Sequence, residues 1–478
     1  MATRRVTRRE VLKTAAAGSL SLITTKRAAG QTSRRPNIVF IMADDMGYAD
    51  VSCYGRPDLR TPHIDGLATR GVRLLQAYAN SAVCTATRVG LITGRYQYRL
   101  RIGLEEPLGT GAPTIGLSPD HPTLPSLLKE AGYSTTLVGK WHLGGLPTFG
   151  PLQSGYDHFF GFRGGAVDYY SHNGTDQKPD LWDDNVPVER SGYMTNLLGN
   201  RAVDVIKGHA RSREPFLLSL HFNAPHWPWE APGDEAESAR IRATALADYD
   251  GGSQRTYQRM ITEMDTQVGR VLDTLASNGF ADNTLVVFTS DNGGERFADT
   301  WPFTGRKTEL LEGGLRIPAI VSWPAALPQN RTSNQVAITM DWLPTFLAAA
   351  GSGPHPSFPS DGINLLQVLR GAPAVSRKLF WRYKGNAQRA LRDGDFKYLK
   401  IRDNTFLFNV ADDPMERANL KTRRADVYDR LEHEWLVWNA TMLPEVPESG
   451  TGGNDADRWA DHLGLKSTRE PDNPPAGK

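Results

Sequence analysis

The sequence predicts an α/β protein: a large domain with a mostly parallel sheet flanked by helices, then a small C-terminal domain with an antiparallel sheet and a helix. Three observations carry that expectation. After residue 35, short apolar runs rich in β-branched residues alternate with amphipathic segments, the pattern of strands buried on both faces and joined by helices. At about residue 375 the pattern changes to closely spaced strand-like runs separated by turn residues. The length, 478 residues, is long for one domain and suits a large domain with a smaller companion.

Element by element, residues 37–43, 134–138, 215–220 and 284–289 read as buried strands. Residues 124–131 and 257–277 read as helices. In the second, Tyr257, Met260, Ile261, Met264, Val268, Val271, Leu272 and Leu275 recur at spacings of three and four, and Asn278-Gly279 stops the pattern. Two more short helices are expected over 341–350 and 365–369. The small domain, 375–443, should hold strands at 378–383, 387–392, 396–401 and 405–409, with Asp393-Gly394 as one turn, and a closing helix at 425–442. The large domain is then 36–374. Residues 444–478, rich in Pro, Gly and charge, are expected to be a poorly ordered tail.

Composition excludes some partners. Lys and Arg number 55 against 53 Asp and Glu, so no broad field favours nucleic acid or an anionic membrane. No apolar run is long enough to span a bilayer, so no membrane span is expected. The two cysteines, Cys53 and Cys84, are expected to stay unpaired, because a chain of this size needs no covalent staple.

The chemistry gathers at strand ends. The expected strands run into Asp44-Asp45, Lys140-Trp141-His142, Asn223-Ala224-Pro225-His226 and Asp291-Asn292. Ligands of open α/β sheets bind outside the carboxyl ends of strands, so these segments should converge on one pocket. Adjacent carboxylates such as Asp44 and Asp45 repel unless a cation neutralises them, and a second Asp-Asn pair adds hard oxygen donors suited to calcium or magnesium. Alone, either pair would read as a solvated turn. Cys84 lies in a polar turn opening a helix, where aligned N–H groups favour anions. Arg88, one turn along, shares its face. Lys140, His142, His226 and Lys307 supply cationic or proton-carrying groups, set among Gly, Pro and Trp that suggest fixed loops.

The run Cys84-Thr85-Ala86-Thr87-Arg88, followed by Val-Gly-Leu-Ile-Thr-Gly-Arg95, resembles the signature of type I sulfatases of the alkaline phosphatase superfamily. The motifs above occur in that family's order over residues 36 to 440, and residues 407–420 look like its small-domain motif. The resemblance implies an alkaline-phosphatase-like fold and hydrolysis of a sulfate monoester of a small molecule or carbohydrate. It implies two cofactors, a calcium ion and formylglycine made from Cys84. By position, Asp44, Asp45, Asp291 and Asn292 match the calcium ligands, completed by the oxygen at residue 84. Arg88, Lys140, His142, His226 and Lys307 match residues that bind sulfate and move protons, with Asp291 matching a base. A formylglycine-generating maturase is the implied partner, and Ala86, where the family usually has proline, bears on which maturase acts. On the same fold, a phosphoesterase or phosphonate monoester hydrolase is an alternative. So is an unmatured protein that binds sulfated ligands.

The N-terminus, residues 1–30, carries Arg8-Arg9 before a modestly apolar run and small residues. It resembles a bacterial twin-arginine export signal. That implies the twin-arginine machinery as partner and a periplasmic or secreted location.

Overall fold

The computed structural model describes residues 35–109, 114–212, 214–244, 251–447 and 449–451. The segment read as an export signal, and most of the expected tail, lie outside the described residues. A ten-stranded sheet organises the large part of the chain. Its strands are β1 (Asn37–Ala43), β2 (Val72–Tyr78), β3 (Ser134–Lys140), β4 (His158–Phe162), β5 (Trp182–Asp183), β6 (Val186–Pro187), β7 (Phe216–His221), β8 (Thr284–Ser290), β9 (Ala319–Ser322) and β10 (Arg331–Ile338). They lie in the order β10-β2-β9-β8-β1-β7-β3-β4-β5-β6.

The middle of the sheet, β8-β1-β7-β3-β4, is parallel throughout. The flanks are mixed: β9 runs antiparallel to β2 and β8, β5 antiparallel to β4 and β6, and β10 parallel to β2. The four strands legible as apolar runs are thus immediate neighbours at the centre. Side chains of a strand alternate between faces, and β1 shows the result. Ile38, Phe40 and Met42 enter one core with Leu128, Trp342 and Phe346. Val39, Ile41 and Ala43 enter the other with Leu198, Met260 and Val268. The second face is covered by helices Met194–Ser212 and Gln254–Ser277, the first by Leu124–Glu130 and Trp342–Ala349.

Four further strands, β11 (Lys378–Tyr383), β12 (Gln388–Asp393), β13 (Phe396–Ile401) and β14 (Asn404–Asn409), form a separate antiparallel sheet in sequential order. Helix Ala425–Asn439 closes one face, setting Leu431 and Trp435 against Leu391, Tyr398 and Leu407. The other face packs on the large sheet's surroundings through Trp381, whose indole donates to the Ala79 carbonyl at 2.9 Å. Behind it lies a buried ion cluster. Lys397 Nζ stands 3.0 Å from Glu312 and 2.9 Å from Glu416, and Arg316 pairs with Glu312 at 2.7 Å. Burial opposes ionisation of Glu312, but Lys397 and the nearby arginines outweigh it and hold that carboxyl below the usual range. Burial pushes Glu416 up to about 7, against Lys397. Beyond Pro444 the described chain lies against Glu106, whose N–H donates to Gly450 at 3.0 Å, and Lys384 bonds Ser449.

Candidate active site

Parallel strands that end together bring their following residues within one strand spacing, about 4.8 Å, of the next. In β1, Ala43 pairs with Ser290 and Met42 with His221, while Gly139 of β3 pairs with the same His221. Asp44, Lys140, Asn223 and Asp291 therefore emerge at one edge. Gly139 has φ +114°, and a Cβ there would stand 1.8 Å from the His221 carbonyl oxygen, so no side chain fits where β3 turns toward the site.

Asp44 and Asp45 are both buried. Lys140 Nζ donates to Asp44 at 2.7 Å, and Lys307 Nζ donates to Asp45 at 2.6 Å. Asp45 adopts φ +62°, its N–H donates to Asp291 Oδ1 at 3.1 Å, and its Oδ1 accepts from Asn292 Nδ2 at 2.8 Å. Burial and then the Asp291 charge raise the Asp44 carboxyl well above the ordinary value, against Lys140 and Arg88. For Asp45, burial acts upward too, but the Lys307 charge outweighs it and the carboxyl is held low. Asp44 Oδ1 and Asn292 Oδ1 are buried without a hydrogen-bond partner. Ligand atoms of Asp44, Asp45 and His226 lie within 4.8 Å of one another. Hard oxygens with unspent lone pairs are the donor set of calcium or magnesium, and Asp44, Asp45, Asp291 and Asn292 offer it.

Cys84 opens helix Cys84–Thr93 and is 2% exposed. It is a free thiol, as is Cys53. Burial pushes its pKa up, partly offset by Lys140 and Lys307. The cysteine sulfur stands 3.3 Å from His142 Nδ1, and His142 Nε2 lies 2.9 Å from the Leu108 carbonyl. A carbonyl only accepts, so Nε2 carries the proton and Nδ1 presents its lone pair to residue 84. Burial and then Lys140 depress the His142 pKa well below its usual value, keeping that ring neutral.

Arg88, fully buried on the same helix, donates to Asp291 at 2.9 Å and to the Lys140 carbonyl at 3.1 Å, and lies 3.8 Å from Asp44. On the opposite side, His226 Nδ1 lies 2.5 Å from the Trp227 carbonyl and Nε2 lies 3.2 Å from Lys307 Nζ. By the same logic Nδ1 carries the proton and Nε2 accepts from the lysine. Burial and Lys307 hold His226 neutral. Burial acts against the Lys307 charge, but Asp45 and Glu295 overcome it and raise its pKa. The loop carrying Lys307 is fastened by Thr308 N–H donating to Ala82 at 2.9 Å, two residues before Cys84.

One connected network therefore holds Asp44, Asp45, Cys84, Arg88, Lys140, His142, His226, Asp291, Asn292 and Lys307. Sequence reasoning missed several contributors. The Leu108 carbonyl that sets the His142 tautomer has no side-chain signal. His221, which lies 3.4 Å from Arg88 through Nδ1, ends an apolar strand and looks like core. Thr85 Oγ1 accepts from Leu108 N–H at 3.0 Å and so ties that loop to the helix. Tyr169, legible in the sequence only as an aromatic that could line a sugar or aryl pocket, packs on Tyr193 and donates to the Asn223 and His226 carbonyls, fixing the His226 loop.

Residues 36–352 match the sulfatase family. N-acetylgalactosamine-6-sulfatase of Canis lupus familiaris is 32% identical over 385 residues, covering 76% of this chain and 71% of the relative. Steryl-sulfatase of Mus musculus is 31% identical, covering 75% and 69%. Among solved structures, Ps i-CgsB in complex with k-i-k-neocarrahexaose superposes with a TM-score of 0.79 at 28% identity, covering 90% of this chain and 97% of that one. A phosphonate monoester hydrolase of Agrobacterium radiobacter shares the fold, with a TM-score of 0.61 at 23% identity over 86% of this chain and 96% of that one. The chain belongs to the sulfatase family of the alkaline phosphatase superfamily and is a sulfuric ester hydrolase.

Proposed function

We propose that this enzyme hydrolyses the sulfate monoester of a carbohydrate, with a formylglycine made from Cys84 and a calcium ion held by Asp44, Asp45, Asp291 and Asn292. The observation that carries the proposal is the lone pair of His142 Nδ1 aimed at residue 84 from 3.3 Å. The two groups would supply, respectively, a hydroxyl oxygen of the hydrated aldehyde as nucleophile and a Lewis acid for the sulfate oxygens.

The chain's own residues divide the remaining work. His142 Nδ1 takes a proton from the group at position 84, while Asp291, which accepts from Asp45 N–H and Arg88, keeps its remaining lone pairs for the cation. Arg88, Lys140 and Lys307 offset negative charge on the transferring group. Lys307 carries the proton that the leaving oxygen needs, with His226 Nε2 orienting it. The carbohydrate class is supported by the oligosaccharide in the similar solved structure. The twin arginine at Arg8 and Arg9 supports export by the twin-arginine route to the periplasm or beyond. Among the described residues no helix is long and apolar enough to cross a membrane.

Ala86 sits at the third position of its helix, and the first helical bond runs from Thr87 N–H to the Val83 carbonyl. The Ala86 N–H precedes that bond, so a proline there would forfeit no helical bond. The departure from the family's proline thus concerns the maturase, which must accept alanine, and not the fold. Peptide mass spectrometry tests the proposal. The segment with Cys84 should be lighter by about 18 Da than the unmodified thiol form. Cys84→Ala should fold normally and release no sulfate. A matched aryl sulfate and aryl phosphate compared on the same preparation should favour the sulfate; preference for the phosphate would point to a phosphoesterase instead.

A further inference from the structure

A cavity of about 440 Å³ opens beside the catalytic pair, lined by His142, Gly145, Arg163, Gly165, Lys178 and Trp182 among others. Arg163 is the unusual member. It is 8% exposed, yet among the described residues no carboxylate stands within ion-pair distance of it. Its guanidinium donates to two neutral oxygens, the Asp184 carbonyl at 3.1 Å and Asn185 Oδ1 at 3.2 Å, and lies over the Trp182 ring at 3.9 Å. Nε is buried with no partner. The carboxylate of Asp180 is spent elsewhere, accepting from Arg163 N–H, Gly164 N–H and the Trp182 indole. Burial pushes the guanidinium pKa down to about 10, only partly opposed by Asp180. Buried charges are ordinarily paired, because an isolated one carries a large desolvation cost. This one lacks its counter-charge.

Its position relative to the reaction is fixed. The Arg163 carbonyl accepts from His142 N–H at 3.1 Å, so the cation and the catalytic imidazole share one backbone link. Gly165 faces the imidazole, where a Cβ would come within 2.7 Å of the ring, so only glycine leaves the passage between them open.

We infer that this cavity receives the sugar adjoining the reacting sulfate ester, and that Arg163 binds a second anionic substituent on it, a sulfate or a carboxylate. The favoured substrate is then a polyanionic saccharide. The inference rests on the sulfate-ester reading of the site. Guanidinium suits either anion, since both present paired oxygens to its planar donors.

The test uses inhibition of p-nitrophenyl sulfate hydrolysis by the mature enzyme. A disulfated disaccharide, a monosulfated disaccharide with a uronate, and a monosulfated neutral disaccharide are compared. At least one dianionic sugar should bind about tenfold tighter than the neutral one, and which one does so identifies the anion. In Arg163→Gln that preference should collapse to within about twofold, while Arg163→Lys should keep part of it. Gly145→Asp provides a variant that leaves Arg163 in place, because a Cβ at Gly145 meets nothing within 4 Å; the added carboxylate should also abolish the preference. Equal binding of all three sugars by the wild type, or a preference untouched by these variants, overturns the inference. Repeating the binding by calorimetry on Cys84→Ala separates the two readings. Charge-dependent binding there, with no turnover in any matured preparation, would leave the subsite standing while the catalytic proposal falls.

Discussion

His142 Nδ1 and Cys84 Sγ stand 3.3 Å apart, while the opposite nitrogen of the same ring is held 2.9 Å from the Leu108 carbonyl. The ring thus has one tautomer, and its basic nitrogen faces the reacting position. Replacing His142 by Gln keeps a polar group but removes the base. Sulfate release should fall about 10²- to 10⁴-fold, measured as kcat on an aryl sulfate. A change below about threefold would move the proton acceptor elsewhere.

Calcium should stabilise the protein. Burial and the neighbouring Asp291 charge raise the cost of ionising Asp44, and two buried oxygens there have no partner. An ion bound only by the folded state adds about 2.7 kcal/mol at a hundred times its dissociation constant. The thermal midpoint should rise with added calcium, fall on chelation, and become insensitive to both in an Asp44→Asn, Asp45→Asn double variant.

Arg88 should matter to the fold as much as to catalysis. It bridges Asp291 and Asp44 in full burial, so Arg88→Met leaves buried carboxylates uncompensated. The expected loss is about 3–5 kcal/mol, read from urea unfolding. Adding Asp291→Asn to that variant should restore part of the loss, since the orphaned charge is removed with its partner.

Acid sensitivity should trace in part to His221. Burial and then the Arg88 charge push its folded pKa well below 6.5. The unfolded chain therefore binds the proton first as pH falls. The stability linked to this neutral ring is fully present above about pH 6.5 and is lost below it. The slope is at most about 1.4 kcal/mol per pH unit for one such group. Between pH 7.5 and pH 5.5, wild type should lose more unfolding free energy than His221→Gln. Equal losses would remove His221 from the account.

What could be read from the chain beforehand was whatever is local. The four apolar runs stand out because central parallel strands are buried on both faces, and the residues that follow them are the ones that converge. By contrast β10, with residues such as Arg331, Ser333 and Asn334, is half solvated and shows no apolar run, while β5 and β6 are two residues each. The flanks were invisible for that reason; the sheet is parallel through its five central strands and again between β10 and β2, with antiparallel pairs around β9 and β5. In the site, side chains next to strand ends were legible, whereas Leu108 acts through a carbonyl and Arg163 through the absence of a counter-charge. Neither property is written in residue type. The Glu312–Lys397–Glu416 cluster joins positions far apart in sequence, and only the fold pairs them.

That cluster sets an order of events. Glu416 accepts from Glu312 N–H at 2.6 Å, at the end of the loop that carries Lys307, so the site's last support is made long after its nucleophile position. Cys84, at 2% exposure, is out of reach of another protein once the fold has closed. Any enzyme that alters this thiol must therefore work on the growing or still-open chain. At ordinary rates of synthesis the interval between residue 84 and residue 416 lasts roughly half a minute. Under the formylglycine proposal, modification competes with closure, and variants that slow docking of the small sheet should come out more completely modified.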